Sequence, residues 1–121
     1  MIKLNTQFVE HKVVTALHDG QDAVLGGTVL TREQLGCGAW RFVDFWHIPP
    51  GASIGEHRHE HGRELYFVIA GHGTMATNGD YFDVGPGDCV LNEPGDCHGL
   101  ANTSDADLVV LVTAVIEEPE A

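Results

Sequence analysis

Basic residues are scarce in this chain: six Lys and Arg stand against eighteen Asp and Glu, a formal net charge of −12. A surface of that sign repels phosphate backbones and anionic headgroups at long range, which argues against nucleic acid or a membrane as partner. Long apolar runs are missing as well. None approaches the roughly 18 residues a bilayer-spanning helix needs, and the opening Met1 to Gln7 has no basic segment leading into an apolar one. The expectation is a cytoplasmic protein. Cysteine is limited to Cys37, Cys89 and Cys97, an odd number without a Cys-x-x-Cys spacing. Neither a disulfide framework nor a zinc knuckle is expected, and the three are read as reduced thiols. A sustained 3.6-residue apolar period is also absent, apart from a weak stretch around Thr31 to Leu35, so an α-helical bundle is disfavoured.

What the chain does have is enough apolar material, 43% of 121 residues, for one hydrophobic core and a single domain over 1–121. Fifteen glycines and five prolines punctuate short β-rich runs. The pattern predicts strands over 12–17, 23–30, 40–48, 53–59, 64–70, 73–77, 81–84, 88–92, 98–102 and 108–116. Between them lie Pro49-Pro50-Gly51, Asn78-Gly79, Gly85-Pro86-Gly87 and Pro94-Gly95, all turn-forming, and Asn78-Gly79 suits a two-residue type I′ hairpin. The fold class is therefore all-β, with strands that close into a barrel or jelly roll and so protect their edges. The acidic end, Glu117 to Ala121, reads as a solvated tail.

Three of the eight histidines, His57, His59 and His61, fall at alternate positions where a strand runs into a turn. Residues two apart on a strand share a face and lie roughly 6.6 Å apart at Cα, so His57 and His59 can converge on one ion. His57 and His61 would be roughly 13 Å apart on a straight strand, too far to share one. A reversal within Glu60-His61-Gly62-Arg63 returns the chain with Glu64 facing the same interior, and His61 belongs to that turn. His98, after the Pro94-Gly95 turn, can reach the same cavity from a later strand. Cys97 precedes it, but neighbours on a strand point to opposite faces, so the thiol is not expected as a ligand.

The spacing Gly51-x5-His57-x-His59-x4-Glu64-x6-Gly71 resembles the first motif of the cupin superfamily, and Gly87 with Gly95-x2-His98-x3-Asn102 resembles the second. The second departs at one position, with Glu93 where the resemblance places proline and Pro94 following. Together the motifs cover 51–71 and 87–102, most of the domain. The resemblance implies a double-stranded β-helix (jelly-roll) barrel, one divalent metal held by His57, His59, Glu64 and His98, and a homodimer. Val24, Leu25, Val29, Trp40, Phe42 and Trp46 offer apolar strand surface for that pairing.

A nitrogen-rich set of three imidazoles and one carboxylate disfavours calcium and magnesium and leaves Mn, Fe, Co, Ni, Cu and Zn. An octahedral ion so held keeps two open positions for a small-molecule ligand. Similar cupins act as isomerases, decarboxylases, oxidases and dioxygenases. The expectation is a metal-dependent enzyme acting on a hydroxy acid, keto acid or sugar derivative by isomerisation, decarboxylation or oxygenation. The alternative is a metabolite-binding or accessory cupin without turnover. Tyr66, His47 and His61 are the candidate proton carriers. Arg41 is the candidate for an anionic substrate, whereas Arg58 and Arg63 point away from the ligands by parity.

Overall fold

The computed structural model describes residues 1–8, 10–36 and 38–116; Cys37 and the acidic tail lie outside the described residues. Ten strands are present among these: β1 (Lys12–Thr15), β2 (Ala23–Leu30), β3 (Trp40–Ile48), β4 (Ser53–Arg58), β5 (Gly62–Ala70), β6 (Gly73–Thr77), β7 (Asp80–Val84), β8 (Cys89–Asn92), β9 (Cys97–Ala101) and β10 (Leu108–Ile116). A single 3-10 turn, Leu17–Asp19, interrupts the chain after β1. All pairings are antiparallel, in a six-stranded sheet ordered β1-β2-β3-β10-β5-β8 and a four-stranded sheet ordered β4-β9-β6-β7. This is the all-β double-stranded β-helix expected. Among the described residues, no helix is long and apolar enough to cross a membrane.

The core fills the space between the sheets with Val24, Trp46, Ile48, Ile54, Val68 and Leu108 among others. Asn78-Gly79 forms the type I′ hairpin between β6 and β7, with φ of 52° and 85°. The stretch after Thr31 makes one turn, closed by the Leu35 amide on the Thr31 carbonyl, and does not continue as a helix.

The expected pairing surface needs correction. Val24 and Trp46 are buried in the core and Phe42 packs against it. Trp40 is exposed on the opposite, outward face, because the β10–β3 register shifts between Ala114 and Val115, and so stays available for pairing. Its indole nitrogen donates to Thr113 Oγ1 at 2.6 Å on that face.

A second register shift decides what β4 presents to the interior. Ile54 pairs with Leu100 and His57 with His98, so Gly55 and Glu56 together oppose the single Gly99. Simple alternation from the buried Ile54 would turn Glu56 and Arg58 inward. The extra residue of this bulge reverses the parity and turns His57 inward instead. Glycine at 99 permits it, since a Cβ there would press on the backbone of Glu56.

Candidate metal centre

β4 and the turn after it carry His57 and His59, β5 carries Glu64, and β9 carries His98. Their nearest donor atoms all lie within 4.8 Å of one another. Glu64 Oε1 is the hub: it stands 2.6 Å from His98 Nε2, 3.2 Å from His57 Nε2 and 3.1 Å from His59 Nε2. Two donors across a single ion at metal–ligand bonds of about 2.0–2.2 Å are about 4.4 Å apart. Shifts of a few tenths of an ångström would therefore seat an ion among these four.

Two details bear on whether the donor set suits a metal. His57 Nδ1 lies 2.8 Å from the Gly55 carbonyl, a bond that puts a hydrogen on Nδ1, so that in the neutral ring Nε2 carries the ligating lone pair. His59 Nε2 is a buried atom without a hydrogen-bond partner, off the line for bonding to Glu64 despite its proximity. A buried nitrogen aimed at a shared centre with two other imidazoles and a carboxylate fits a divalent transition metal. Side-chain exposure rises from 2% at His98 through 11% at His57 to 35% at His59, so the group opens to solvent on the His59 side.

The electrostatics of the metal-free group follow from this packing. Burial alone would raise the Glu64 carboxyl, but hydrogen bonds from His57 and His98 and the nearby His59 outweigh it and hold it at about 2. Burial would lower His57, yet its bonds to Glu64 and the Gly55 carbonyl raise it above the usual imidazole range.

The interior floor beside the group can be traced across β8, β5, β10 and β3. One row reads Asn92, Glu64, Ala114, Phe42 and the next Val90, Tyr66, Val112, Asp44. Val112, in the middle of the second row, lines a cavity of about 60 Å³ together with Asp44, Tyr66, Glu64, His57, Trp46 and His18 among others. That admits a ligand of only a few non-hydrogen atoms.

Of the proton carriers expected from sequence, Tyr66 lines this cavity, its ring edge-on to His98 at 5.6 Å. Burial, then Glu64 and Asp44, push its hydroxyl well above the usual phenol range, so it acts as a donor near neutrality. His47 lies elsewhere, packed against His11 and Phe45 on the outward face of β3. His61 is exposed in the turn between β4 and β5. Arg41 is not among the residues lining the cavity. Cys97 pairs with Arg58 beside the group and takes no part in it; Cys89 and Cys97 are free thiols.

Two residues at the site were not singled out from sequence. Asp44 faces the cavity from β3, accepts from Thr28 Oγ1 at 2.7 Å, and has its carboxyl raised, chiefly by burial. Its signal was present as a lone acid within an apolar strand. His18 stacks on His57 with centroids 3.8 Å apart and planes 14° from parallel. No spacing could have placed it there. The departure at Glu93 also has a local cause. In the Glu93–Asp96 turn, Pro94 precedes Gly95 at φ 88°, and the Glu93 amide donates to Asp96 Oδ2 at 2.8 Å, a bond that proline at 93 could not make.

Comparison with known proteins agrees with this architecture. The family model described as a cupin domain matches residues 44–114. An oxalate-binding protein of Thermotoga maritima is 33% identical over 69 residues, 57% of this chain and 57% of that one. An uncharacterised protein of Methanocaldococcus jannaschii is 28% identical over 53% of this chain and 51% of its own length. The chain thus spans little more than half the length of the curated relatives it matches. Among solved structures, a predicted oxalate decarboxylase from Thermotoga maritima superposes with a TM-score of 0.92 at 24% identity, covering 96% of this chain and 100% of that one. The polyketide cyclase RemF from Streptomyces resistomycificus gives a TM-score of 0.78 at 20% identity, covering 99% and 82%. These likenesses show the fold.

Proposed function

The chain belongs to the cupin family, and on that premise we propose that it holds one divalent transition-metal ion at His57, His59, Glu64 and His98 and chelates a small oxygen-rich acid there. The observation that carries this reading is the convergence of the four donor atoms within 4.8 Å. When bound, the ion would supply Lewis acidity and open positions for a carboxylate or hydroxyl oxygen. The cavity, at about 60 Å³, favours a hydroxy or keto acid over a sugar derivative. The relative named as oxalate-binding supports the same ligand class.

Turnover by decarboxylation, oxygenation or isomerisation is the first reading, with Tyr66 and Asp44 at hand as proton donors. Binding without turnover is the second, favoured by the name of that relative. The test begins with metal analysis of protein purified without added metal, then titration of the Mn²⁺-loaded protein with oxalate and glycolate, then a turnover screen with Mn, Fe, Ni and Zn. Stoichiometric metal lost in the alanine variants of all four residues is expected. Full metal content in those variants would sink the proposal. We also propose a homodimer, formed through the outer face of the six-stranded sheet, where Phe67, Ile69, Leu91 and Val115 are exposed.

A further inference from the structure

Asn92 ends β8 with 1% of its surface exposed, and neither its Nδ2 nor its Oδ1 has a hydrogen-bond partner. Buried side-chain amides are seldom left so, because losing water on both the donor and the acceptor side destabilises the fold unless something replaces it. The direction of the side chain is fixed by register. Asn92 pairs with Glu64, and paired residues on adjacent strands share a face. Its neighbours confirm the alternation: Leu91 is exposed on the outer face, and Val90 packs against the core. Asn92 therefore shares the interior face of Glu64, the hub of the four-donor group, on its β8 side, and is not itself among the residues that line the cavity on the β10 and β3 side.

We infer that Asn92 is a ligand-binding residue of this site and selects 2-hydroxy acids. The inference rests on the metal-centre reading and extends it. A partner able to satisfy both atoms must bring an acceptor and a donor close together. In a 2-hydroxy acid a carboxylate oxygen accepts from Nδ2–H and the adjacent hydroxyl donates to Oδ1. Fully ionised oxalate offers acceptors only and leaves Oδ1 unsatisfied, a mismatch of the kind that buried polar sites discriminate against.

The test uses the full chain and three readouts: the denaturation midpoint of metal-free protein, Mn²⁺ uptake by competition with a chelating dye, and calorimetric titration of glycolate and oxalate. In Asn92→Leu, glycolate affinity falls by about tenfold or more, the loss expected for a buried hydrogen-bonded pair, while Mn²⁺ affinity stays within about threefold. The loss for oxalate is smaller. The metal-free midpoint is at or above that of the unaltered protein, because the unpaired amide is gone. Asn92→Asp keeps the shape but replaces the donor with a negative charge, so both acids bind more weakly while Mn²⁺ uptake is undiminished.

Glycolate affinity unchanged in both variants overturns the inference, as does an Asn92→Leu midpoint clearly below that of the unaltered protein. An unaltered protein that takes up no Mn²⁺ defeats the metal reading instead. Asn92 is then judged by glycolate titrated onto metal-free protein: binding lost in Asn92→Leu sustains the inference, and no binding by the unaltered protein overturns it.

Discussion

Asp44 brings a second carboxyl into the interior that Glu64 occupies, and the two are held in opposite ways. Hydrogen bonds and imidazoles keep Glu64 ionised down to about 2, whereas burial favours the neutral form of Asp44 despite its bond from Thr28. Two carboxyls whose surroundings push them apart can divide the roles of ligand and proton donor. Because the folded-state value of Asp44 is raised, its contribution to stability is full below the ordinary carboxyl range and is lost as pH rises through the raised value. The neutral Asp44→Asn variant escapes that loss. In metal-free protein, its stability relative to the unaltered chain should therefore improve as pH rises from the ordinary carboxyl range through the raised value. Parallel denaturation curves across that interval, with a constant difference, would show that burial does not govern this carboxyl. Among proton carriers, Tyr66 was legible because it shares the parity of Glu64. Asp44 was overlooked although it shares the parity of Phe42 and Trp46, since a strand so rich in apolar residues reads first as core.

The elements around the site depend on places where regular pairing fails. The segment from Ala16 to Asp22 has left-handed backbone at Ala16, His18, Asp19 and Asp22, and it crosses β4 so closely that a Cβ at Gly55 would collide with the His18 carbonyl and the Gly20 amide. That approach is what seats His18 on His57. Gly55→Ala should displace the segment and cost about 1–3 kcal/mol, the range for overpacking a tight contact, measured by chemical denaturation. A variant as stable as the parent would mean that the segment is not held against β4. Four strands run where hydrophobic alternation and turn chemistry put them, 23–30, 40–48, 73–77 and 108–116. The bulge at Gly55 and Glu56 was less evident. Ile54 and His57, both inward, are an odd number of residues apart, which a straight strand cannot reconcile. The spacing to Glu64 drew the histidines together without revealing that a bulge turns them inward. The stack of His18 on His57 was illegible for a different reason, since it depends on left-handed residues that are not glycine.

Across the whole molecule the acidic residues are sorted rather than spread. Of eighteen Asp and Glu, the six strands of the larger sheet contain only Asp44 and Glu64, and both face inward to the site. The outer face of that sheet is left without an acid and with Phe67, Ile69, Leu91 and Val115 exposed. Two copies that each carry a formal charge of −12 repel wherever acids meet, so an acid-free apolar face is where a second copy can approach at least electrostatic cost. Residual repulsion between the copies is screened by salt, with a Debye length of about 10 Å at 0.1 M. Association should therefore tighten as ionic strength rises, the reverse of an interface built on opposite charges. Leu91→Glu or Phe67→Glu places a carboxylate into that face on both copies, and either should weaken the proposed dimer by about tenfold or more through lost apolar burial and added repulsion. Sedimentation equilibrium at micromolar concentration, in low and high salt, reads all of these effects. A monomer under every condition removes the dimer, and a dimer indifferent to both variants moves its interface to another face.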